Sequence, residues 1–454
     1  MNDQTIPHRV HLIGAGGAGM SALAKLLCAR GHQVSGSDLR MAAVMANLSD
    51  LGAEVWEGSR PEAMSDVDLV VASSAVPDRD WERVAATEAG VPVWERPQLL
   101  AALTSETPTI GATGTHGKTT STAMLIAATR ASGLDPSFVV GGELTDLRTN
   151  AHLGSDDLLI LEADEAFATF AALSLSGLMV TNVEADHMDH YETLDRLEDA
   201  FADVVRRVDG PVVVGVDDPG GRRLAERTSR PTYGTSSGAD WRIEGVVEQR
   251  DSVSFTLRGP GGAVPVVVGR PGLHLARNAG GVLALLGELG YDVEAAAAGL
   301  RTFAGVKRRL ETRAVVGGVT IIDSYAHHPT EVAADLRAVS GGDGQTWVVF
   351  QPHLYSRTEA LANEFGGAFS GADVVVVTDV YGSREEPVPG ITGELVADAA
   401  QARSGATVHY VPRLGDVAEF VAERVRPGDL VLTLGAGDIT VVPDELAPRL
   451  VRRP

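Results

Sequence analysis

The stretch TIGATGTHGKTTSTAM, Thr109 to Met124, has the layout of a phosphate-gripping loop between a strand and a helix. Backbone N–H groups from Gly114 through Thr115, His116 and Gly117 to Thr119 and Thr120 can point into one concavity at a helix N-terminus, where the dipole favours anions. Gly114 and Gly117 let the chain come close to such a ligand. Lys118 is placed to reach β/γ-phosphates as a point charge, and the Thr119 hydroxyl to ligate Mg²⁺. The usual G-x-x-x-x-G-K-[ST] pattern is missed at its first position, where Ala112 stands and Gly111 is one place early. A chance G-K-T in a loop would lack the strand before it and the apolar helix after it, so a nucleoside triphosphate is the first ligand to consider.

A second glycine loop lies nearer the N-terminus. Gly14-Ala15-Gly16-Gly17-Ala18-Gly19 is a G-x-G-x-x-G between the strand RVHLIG and a helix, and Asp38 closes the next strand about twenty residues on. Alone it says only that a pyrophosphate-bearing ligand suits this helix, and it permits NAD and a nucleotide-sugar equally. An NAD oxidoreductase would leave the Lys118 loop unexplained.

At 454 residues the chain is too long for one ordinary core. Its formal charge of −23 disfavours nucleic-acid backbones and anionic membranes as partners, since a sequence-independent grip on phosphates needs a basic surface. The one cysteine, Cys28, excludes internal disulfides and thiolate clusters, and in the apolar run SALAKLLCA it reads as a structural thiol. The N-terminus leads straight into a strand without a signal-peptide pattern, and no apolar run approaches the ~20 residues of a membrane span. A cytoplasmic protein, monomer or homodimer, is expected.

Strand and helix patterns alternate throughout. RVHLIG, QVSGSD and DLVVASSAV give three strands over 8–100, and a less regular stretch from Glu95 to Pro108 precedes the phosphate loop. DLLILEADE, GLMVTNVEADHMDHY and GPVVVGVDD follow, then WRIEGVVEQ, SVSFTLRG and AVPVVVG as antiparallel strands, and a helical run at Asn278–Leu289. VTIIDSY, TWVVFQP, DVVVVTDVY, TVHYVP and DLVLTLGAGDI complete the chain. The expected fold is α/β in three domains: an N-terminal Rossmann-like domain at 1–104, a central P-loop α/β domain with a small antiparallel section at 105–312, and a C-terminal Rossmann-like α/β domain at 313–454.

The strand Leu158–Leu161 runs into Glu162, Asp164 and Glu165, where a phosphate-loop enzyme places the carboxylates of its metal site. Without the Lys118 loop a solvated acidic turn would be the better reading. The strand ending at Asn182 is followed by Asp186, His187, Asp189 and His190, which lack familiar zinc spacing but suit a second divalent ion as well as a structural helix start.

The ordered set GAGGAGMSALA (14–24), GATGTHGKTT (111–120), EADE (162–165), TNVEADHMD (181–189), FAGVKRR (303–309), DSYAHHPTE (323–331), FQPHLYSRT (350–358), DVYGSREEPVPG (379–390) and GAGDIT (435–440) resembles the Mur ligase family, and THGKTT, YAHHPTE and PHLYSRT resemble its alanine-adding branch. The resemblance implies an ATP- and Mg²⁺-dependent ligase that joins L-alanine to UDP-N-acetylmuramate through an acyl phosphate. Gly16, Gly17, Gly19 and Met20 would then lie near the UDP pyrophosphate, with Asp38, Ser73 and Ser74 nearby. It implies further that Lys118 contacts the transferred phosphate, that Thr119, Glu165 and His187 are metal ligands, that Asn278 meets adenine, and that Arg308 and Asp323 meet phosphate or ribose. Tyr325, His327, His328 and Arg357 belong to the amino-acid side. His327 or His328 is a candidate base for the alanine ammonium, because imidazole titrates near working pH, and a backbone-bonding role suits one of the two equally well.

Two departures stand out. The family commonly continues EADE with Ser-Asp, where this chain has Ala166-Phe167-Ala168-Thr169-Phe170, and its usual pair of acids in the DSYAHHP motif is reduced to Asp323 followed by Ser324. A paralogous ligase acting on another acid or amine, and a non-catalytic nucleotide-binding regulator, therefore stay open beside the alanine ligase.

Overall fold

The structure is a computed structural model describing residues 5–41, 43–383 and 385–451; the side chains of Ala43, Phe167 and Asp189 lie outside the described residues. The chain forms two compact units, one of residues 1–247, 253–269 and 275–304 and one of residues 248–252, 270–274 and 305–454. The larger unit carries two sheets and the smaller one a third.

The first sheet is five-stranded and parallel, in the order Glu54–Glu57, Gln33–Asp38, Arg9–Ile13, Leu69–Ala72, Val93–Glu95. Two of these strands, Glu54–Glu57 and Val93–Glu95, are too short for their periodicity to stand out in the sequence. The helix Ala18–Ala29 covers the sheet with Met20, Leu23, Ala24 and Leu27, the spacing of one buried helical face. Each large apolar side chain so buried contributes roughly 1.5–3 kcal/mol. The stretch expected to be irregular before Pro108 is a helix, Arg96–Glu106. A reciprocal capping box of Glu95 and Gln98, with Pro97 in the first turn, starts it.

The second sheet has ten strands. Thr109–Thr113 is buried at its centre between Gly177–Val180 and Leu159–Glu162, parallel to both. The chain leaves Thr109–Thr113 toward one side and returns to the other, so a crevice opens at the carboxyl end of this strand. Val253–Gly259 pairs antiparallel with Gly262–Val268 as expected, Ser137–Leu144 pairs antiparallel with Thr149–His152, and Trp241–Glu248 meets Thr232–Gly234 in parallel.

The third sheet runs Glu311–Val316, Val319–Ser324, Leu430–Leu434, Thr346–Phe350, Val374–Val377, Thr407–Tyr410, antiparallel at its first pair and parallel where strands Val319–Ser324 to Thr407–Tyr410 follow. Its strands are apolar on both faces. Val348, Phe350, Val375, Val377 and Leu432 pack on one side, and Trp347, Val349, Val374, Val376 and Val431 on the other. That pattern belongs to a sheet covered by helices on both faces. No helix among the described residues is long and apolar enough to cross a membrane.

Candidate active site

The loop after Thr109–Thr113 is shaped by two left-handed glycines, Gly114 (φ +126°) and Gly117 (φ +82°), and the helix Lys118–Ala131 begins directly behind it. A Cβ at 114 would lie 2.8 Å from Asn182 O and nearer still to Thr181 Oγ1. The neighbouring strand end clamps the loop. Thr115 N–H donates to Asn182 O (3.1 Å), His116 N–H to Asn182 Oδ1 (2.9 Å), and Thr181 Oγ1 and Asn182 Nδ2 both donate to His116 O. Thr120 follows in the first helical turn, and the Asn278 carboxamide, buried in the helix Leu273–Glu288, lies against Gly117.

Lys118 folds back over this loop. Its Nζ donates to Gly114 O (2.9 Å), Thr115 O (3.2 Å) and Glu165 Oε1 (2.8 Å), with Asp164 at 3.8 Å. Burial works against the ammonium charge, but Glu165, Asp164 and Glu162 hold it above the ordinary lysine range. Thr119 Oγ1 donates to the Glu162 carboxylate (3.0 Å), which also accepts from Gly141 N–H. Glu165 is 1% exposed; burial, reinforced by Asp164 and opposed by Lys118, pushes its carboxyl up to about 7. His187 Nε2 stands 3.7 Å from Glu165 Oε1, and the Tyr191 hydroxyl donates to Glu165 O (2.6 Å). Among the described residues Glu165 Oε2 has no hydrogen-bond partner although it is buried. A divalent cation is the kind of partner such an oxygen takes, and the pair Glu165 and His187 fits one, with Thr119 on the neighbouring Glu162.

In the N-terminal sheet, Gly14 (φ +82°) turns the chain, and the Gly14 and Ala15 N–H groups donate to Ser37 O. Gly16 N–H donates to Asp38 Oδ2 at 2.9 Å. Met20 is buried in the helix that follows, whereas Ser74 is exposed and Ser73 sits beside Gly14. Arg96, which the sequence reading passed over, lies with its guanidinium over Gly19. It lines a cavity of about 150 Å³ together with Gly19, Gly141, Glu162 and Asp164, and its Nε is buried without a partner among the described residues. The end of the first glycine loop, at Gly19, and the acids Glu162 and Asp164 thus line one cavity within the larger unit. The signal for Arg96 was its place at the start of a well-capped helix.

The smaller unit holds a separate cluster. Asp323 is fully buried and accepts from Thr433 Oγ1 (2.8 Å), Thr440 Oγ1 (2.9 Å) and Arg308 Nε (3.3 Å). Thr433, Thr440 and Arg308 thus share the Asp323 carboxylate, and Arg313 Nη1 lies 3.7 Å from Oδ2. Arg308 also donates to Gly435 O (2.7 Å) and lies over the Tyr325 ring. His327 donates from Nδ1 to Tyr325 O (3.0 Å), which leaves the lone pair of its neutral ring on Nε2. His328 does the reverse. It caps the helix Pro329–Val339 by accepting Thr330 N–H at Nδ1, so its neutral ring carries the proton on Nε2. Arg357 Nη1 donates to His353 Nδ1 (3.2 Å), and the His353 ring stacks near Tyr381 and meets His327 edge-on. His353 and Tyr381 sit inside quoted motifs but were not singled out.

Three family models match in series: "Mur ligase family, catalytic domain" over 9–107, "Mur ligase middle domain" over 112–286, and "Mur ligase, glutamate ligase domain" over 308–437. The chain is 43% identical over 460 residues to the UDP-N-acetylmuramate–L-alanine ligase of Thermobifida fusca (strain YX), covering 98% of this chain and 96% of that protein. It belongs to the Mur ligase family. A further relative of the same name, from Saccharopolyspora erythraea, is also 43% identical, over 98% of this chain and 94% of its own length. Among solved structures, the UDP-N-acetylmuramate-alanine ligase of Thermotoga maritima superposes with a TM-score of 0.83 at 28% identity, covering 97% of this chain and 98% of that one. The murein peptide ligase of Psychrobacter arcticus 273-4 shares the fold, with a TM-score of 0.73 at 23% identity over 99% of this Mur ligase and 100% of its own chain.

After its acids this Mur ligase forms a 3₁₀ helix, Ala166–Ala172. The Ala166 N–H donates to Asp164 Oδ1 (3.3 Å), and Phe170 turns inward to meet Phe201 edge-on.

Proposed function

We propose that this Mur ligase joins L-alanine to UDP-N-acetylmuramate at the expense of ATP, in peptidoglycan precursor synthesis in the cytoplasm, acting as a monomer or homodimer without nucleic acid or membrane partners. The observation that carries the reading is the Lys118 ammonium held 2.8 Å from Glu165 at the mouth of a loop whose amides suit a triphosphate. Similarity to alanine ligases over nearly the whole chain gives the substrates. On this reading residues 1–104 hold the UDP-sugar, 105–312 hold ATP, and 313–454 serve the amino acid.

A carboxylate is a poor acyl donor, because its leaving group would be oxide. The lactyl carboxylate therefore attacks the γ-phosphorus, forming a new P–O bond as ADP leaves. Lys118 and the loop amides neutralise repulsion between the incoming anion and the phosphates, mostly by fixed position and charge. Mg²⁺, held by Thr119, Glu165 and His187, would supply further charge on the phosphate oxygens. Arg96, above Gly19 and beside Glu162 and Asp164, is placed to orient the acid toward the loop. The alanine amine then attacks the acyl carbon, the C–N bond forms, and phosphate departs. His327, with its lone pair on Nε2, takes the proton lost by the ammonium; His328, whose Nδ1 is spent on the helix cap, does not.

Phosphate release from ATP and Mg²⁺ with UDP-N-acetylmuramate and a panel of amino acids, with the amide identified by mass, tests this. Turnover that requires both UDP-N-acetylmuramate and L-alanine is expected. The 3₁₀ helix Ala166–Ala172 beside the acids favours one second reading, a ligase of the same chemistry on another acid or amine. Amide formation with a different acid or amine only would decide for it.

A further inference from the structure

The turn that carries Tyr325, His327 and His328 is fastened at its root by a contact that the reaction scheme does not use. Ser324, fully buried at the end of the strand Val319–Ser324, donates from Oγ to Asp335 Oδ2 on the helix Pro329–Val339. The same oxygen accepts the N–H of Ala326 at 3.3 Å. One residue on, the N–H of His327 donates to Glu331 Oε2 (3.0 Å), from the first turn of that helix. Two carboxylates on one helix face, four residues apart, therefore fix two successive amides of the turn, Glu331 directly and Asp335 through Ser324. The first of those amides shares its planar peptide unit with Tyr325 O, which accepts the Nδ1 proton of His327. An acid missing from position 324 is thus met in space by one at position 335.

We propose that Ser324 and Asp335 form a positioning pair that sets the Tyr325–His328 turn and thereby holds His327 in the tautomer with its lone pair on Nε2. The proposal rests on the reading of His327 as the base for the amine. Neither Ser324 nor Asp335 touches substrate; both act through the turn. Burial, moderated by the Ser324 hydrogen bond and reinforced by Glu331, pushes the Asp335 carboxyl up to about 7, as fits a group closed into the fold and not one turned to water.

Two readouts on the full chain test this. The first is ¹⁵N-histidine NMR, which reads the His327 tautomer whatever acid or amine the enzyme takes. Asp335→Asn and Asp335→Ala should both shift the His327 ring toward tautomer exchange, while the His328 cap resonance holds. The second is steady-state kinetics. Asp335→Ala should lower kcat/KM for L-alanine by roughly 10- to 100-fold, as a misplaced catalytic group does, with KM for ATP changed by less than about twofold. The exchange variant Ser324→Asp/Asp335→Ser should recover kcat/KM to within about threefold, because the two sites are coupled. Unchanged His327 resonances in Asp335→Asn overturn the pair, and so does an equal loss toward all three substrates that the exchange does not recover. If the unmodified enzyme makes no amide from UDP-N-acetylmuramate and L-alanine but the NMR shift appears, the positioning pair stands and the substrate assignment falls.

Discussion

Two regions of the larger unit place a glycine-rich loop between a buried parallel strand and a helix, yet they spend their polar groups differently. In the N-terminal sheet the acid partners are already matched: Asp38 accepts from the loop amide of Gly16, and the buried Glu82 accepts from Ser37 Oγ, Trp56 Nε1 and Arg60 N–H. In the central sheet they are not. Glu165 is as buried as Glu82, each 1% exposed, but one of its oxygens has no partner among the described residues, and Lys118 is pulled across the loop to meet the other. The two carboxyls respond in opposite senses, Glu82 brought down to about 2 and Glu165 up to about 7. Burial raises both; only in Glu82 do hydrogen bonds outweigh it. A loop whose charges are internally satisfied can bind an anion by shape, whereas chemistry on the anion needs groups held in tension until it arrives.

The sharpest way to break this comparison is to remove the charge from the second loop. Lys118→Ala should lower kcat for phosphate release by about 10³-fold or more, the scale of losing a preorganised donor at a developing charge. It also strands Glu165 beside Asp164 in the ligand-free fold, so a lower melting temperature is expected alongside. An activity within tenfold of the unmodified enzyme, by the ordinary ~1.4 kcal/mol per decade, would mean that the triphosphate is not gripped here.

Glycine substitutions sharpen the contrast in backbone. Gly114→Ala puts a Cβ at φ +126° against Asn182 and Thr181, and should cost roughly 3–5 kcal/mol through strain and overpacking, with loss of ATP binding by calorimetry. Gly17→Ala in the first loop has φ −70°, and its nearest neighbour, Gly14 O, is at an ordinary 3.5 Å. It should change stability by no more than about 0.5 kcal/mol. Equal effects would show that the two loops carry the same constraint.

The same contrast explains what the sequence made legible. The strand Val374–Val377 is apolar throughout, and the two loops show glycine where φ is positive, so the α/β class and both loops could be read directly. Short strands without an apolar run, such as Glu54–Glu57 and Val93–Glu95, could not, because they expose no periodicity. Lys118, Glu165 and His187 are brought together in space, and the carboxyls next to the loop follow from strand order. Arg96 was missed because its role depends on packing over Gly19, which no spacing encodes. Asp323 could be seen as an acid at a strand end, but that Thr433 and Thr440 would close over it depends on residues more than a hundred positions away.

The last test concerns Glu82, the acid that is fully matched. Its folded value, about 2, lies below its ordinary 4.5, so ionised Glu82 favours the folded state at every pH above 4.5, and that contribution is lost as pH falls from 4.5 through about 2. The sign follows from proton count, since the unfolded chain binds the proton first. With hydrogen bonds from Ser37, Trp56 and Arg60 N–H and contact with His11 Nε2, the contribution is on the order of 2–3 kcal/mol at neutral pH. Glu82→Gln keeps the shape, removes the charge and turns an amide toward donors, so it should lower stability at pH 7 by about that amount. It should also flatten the decline of denaturation midpoint between pH 4.5 and 2 relative to the unmodified protein. Activity at saturating substrate should stay near that of the unmodified enzyme, because Glu82 supports the sheet beneath the first loop and touches no part of the second. A variant that lost activity while keeping its acid stability would place Glu82 in the chemistry and erase the distinction between a matched carboxylate and one held open.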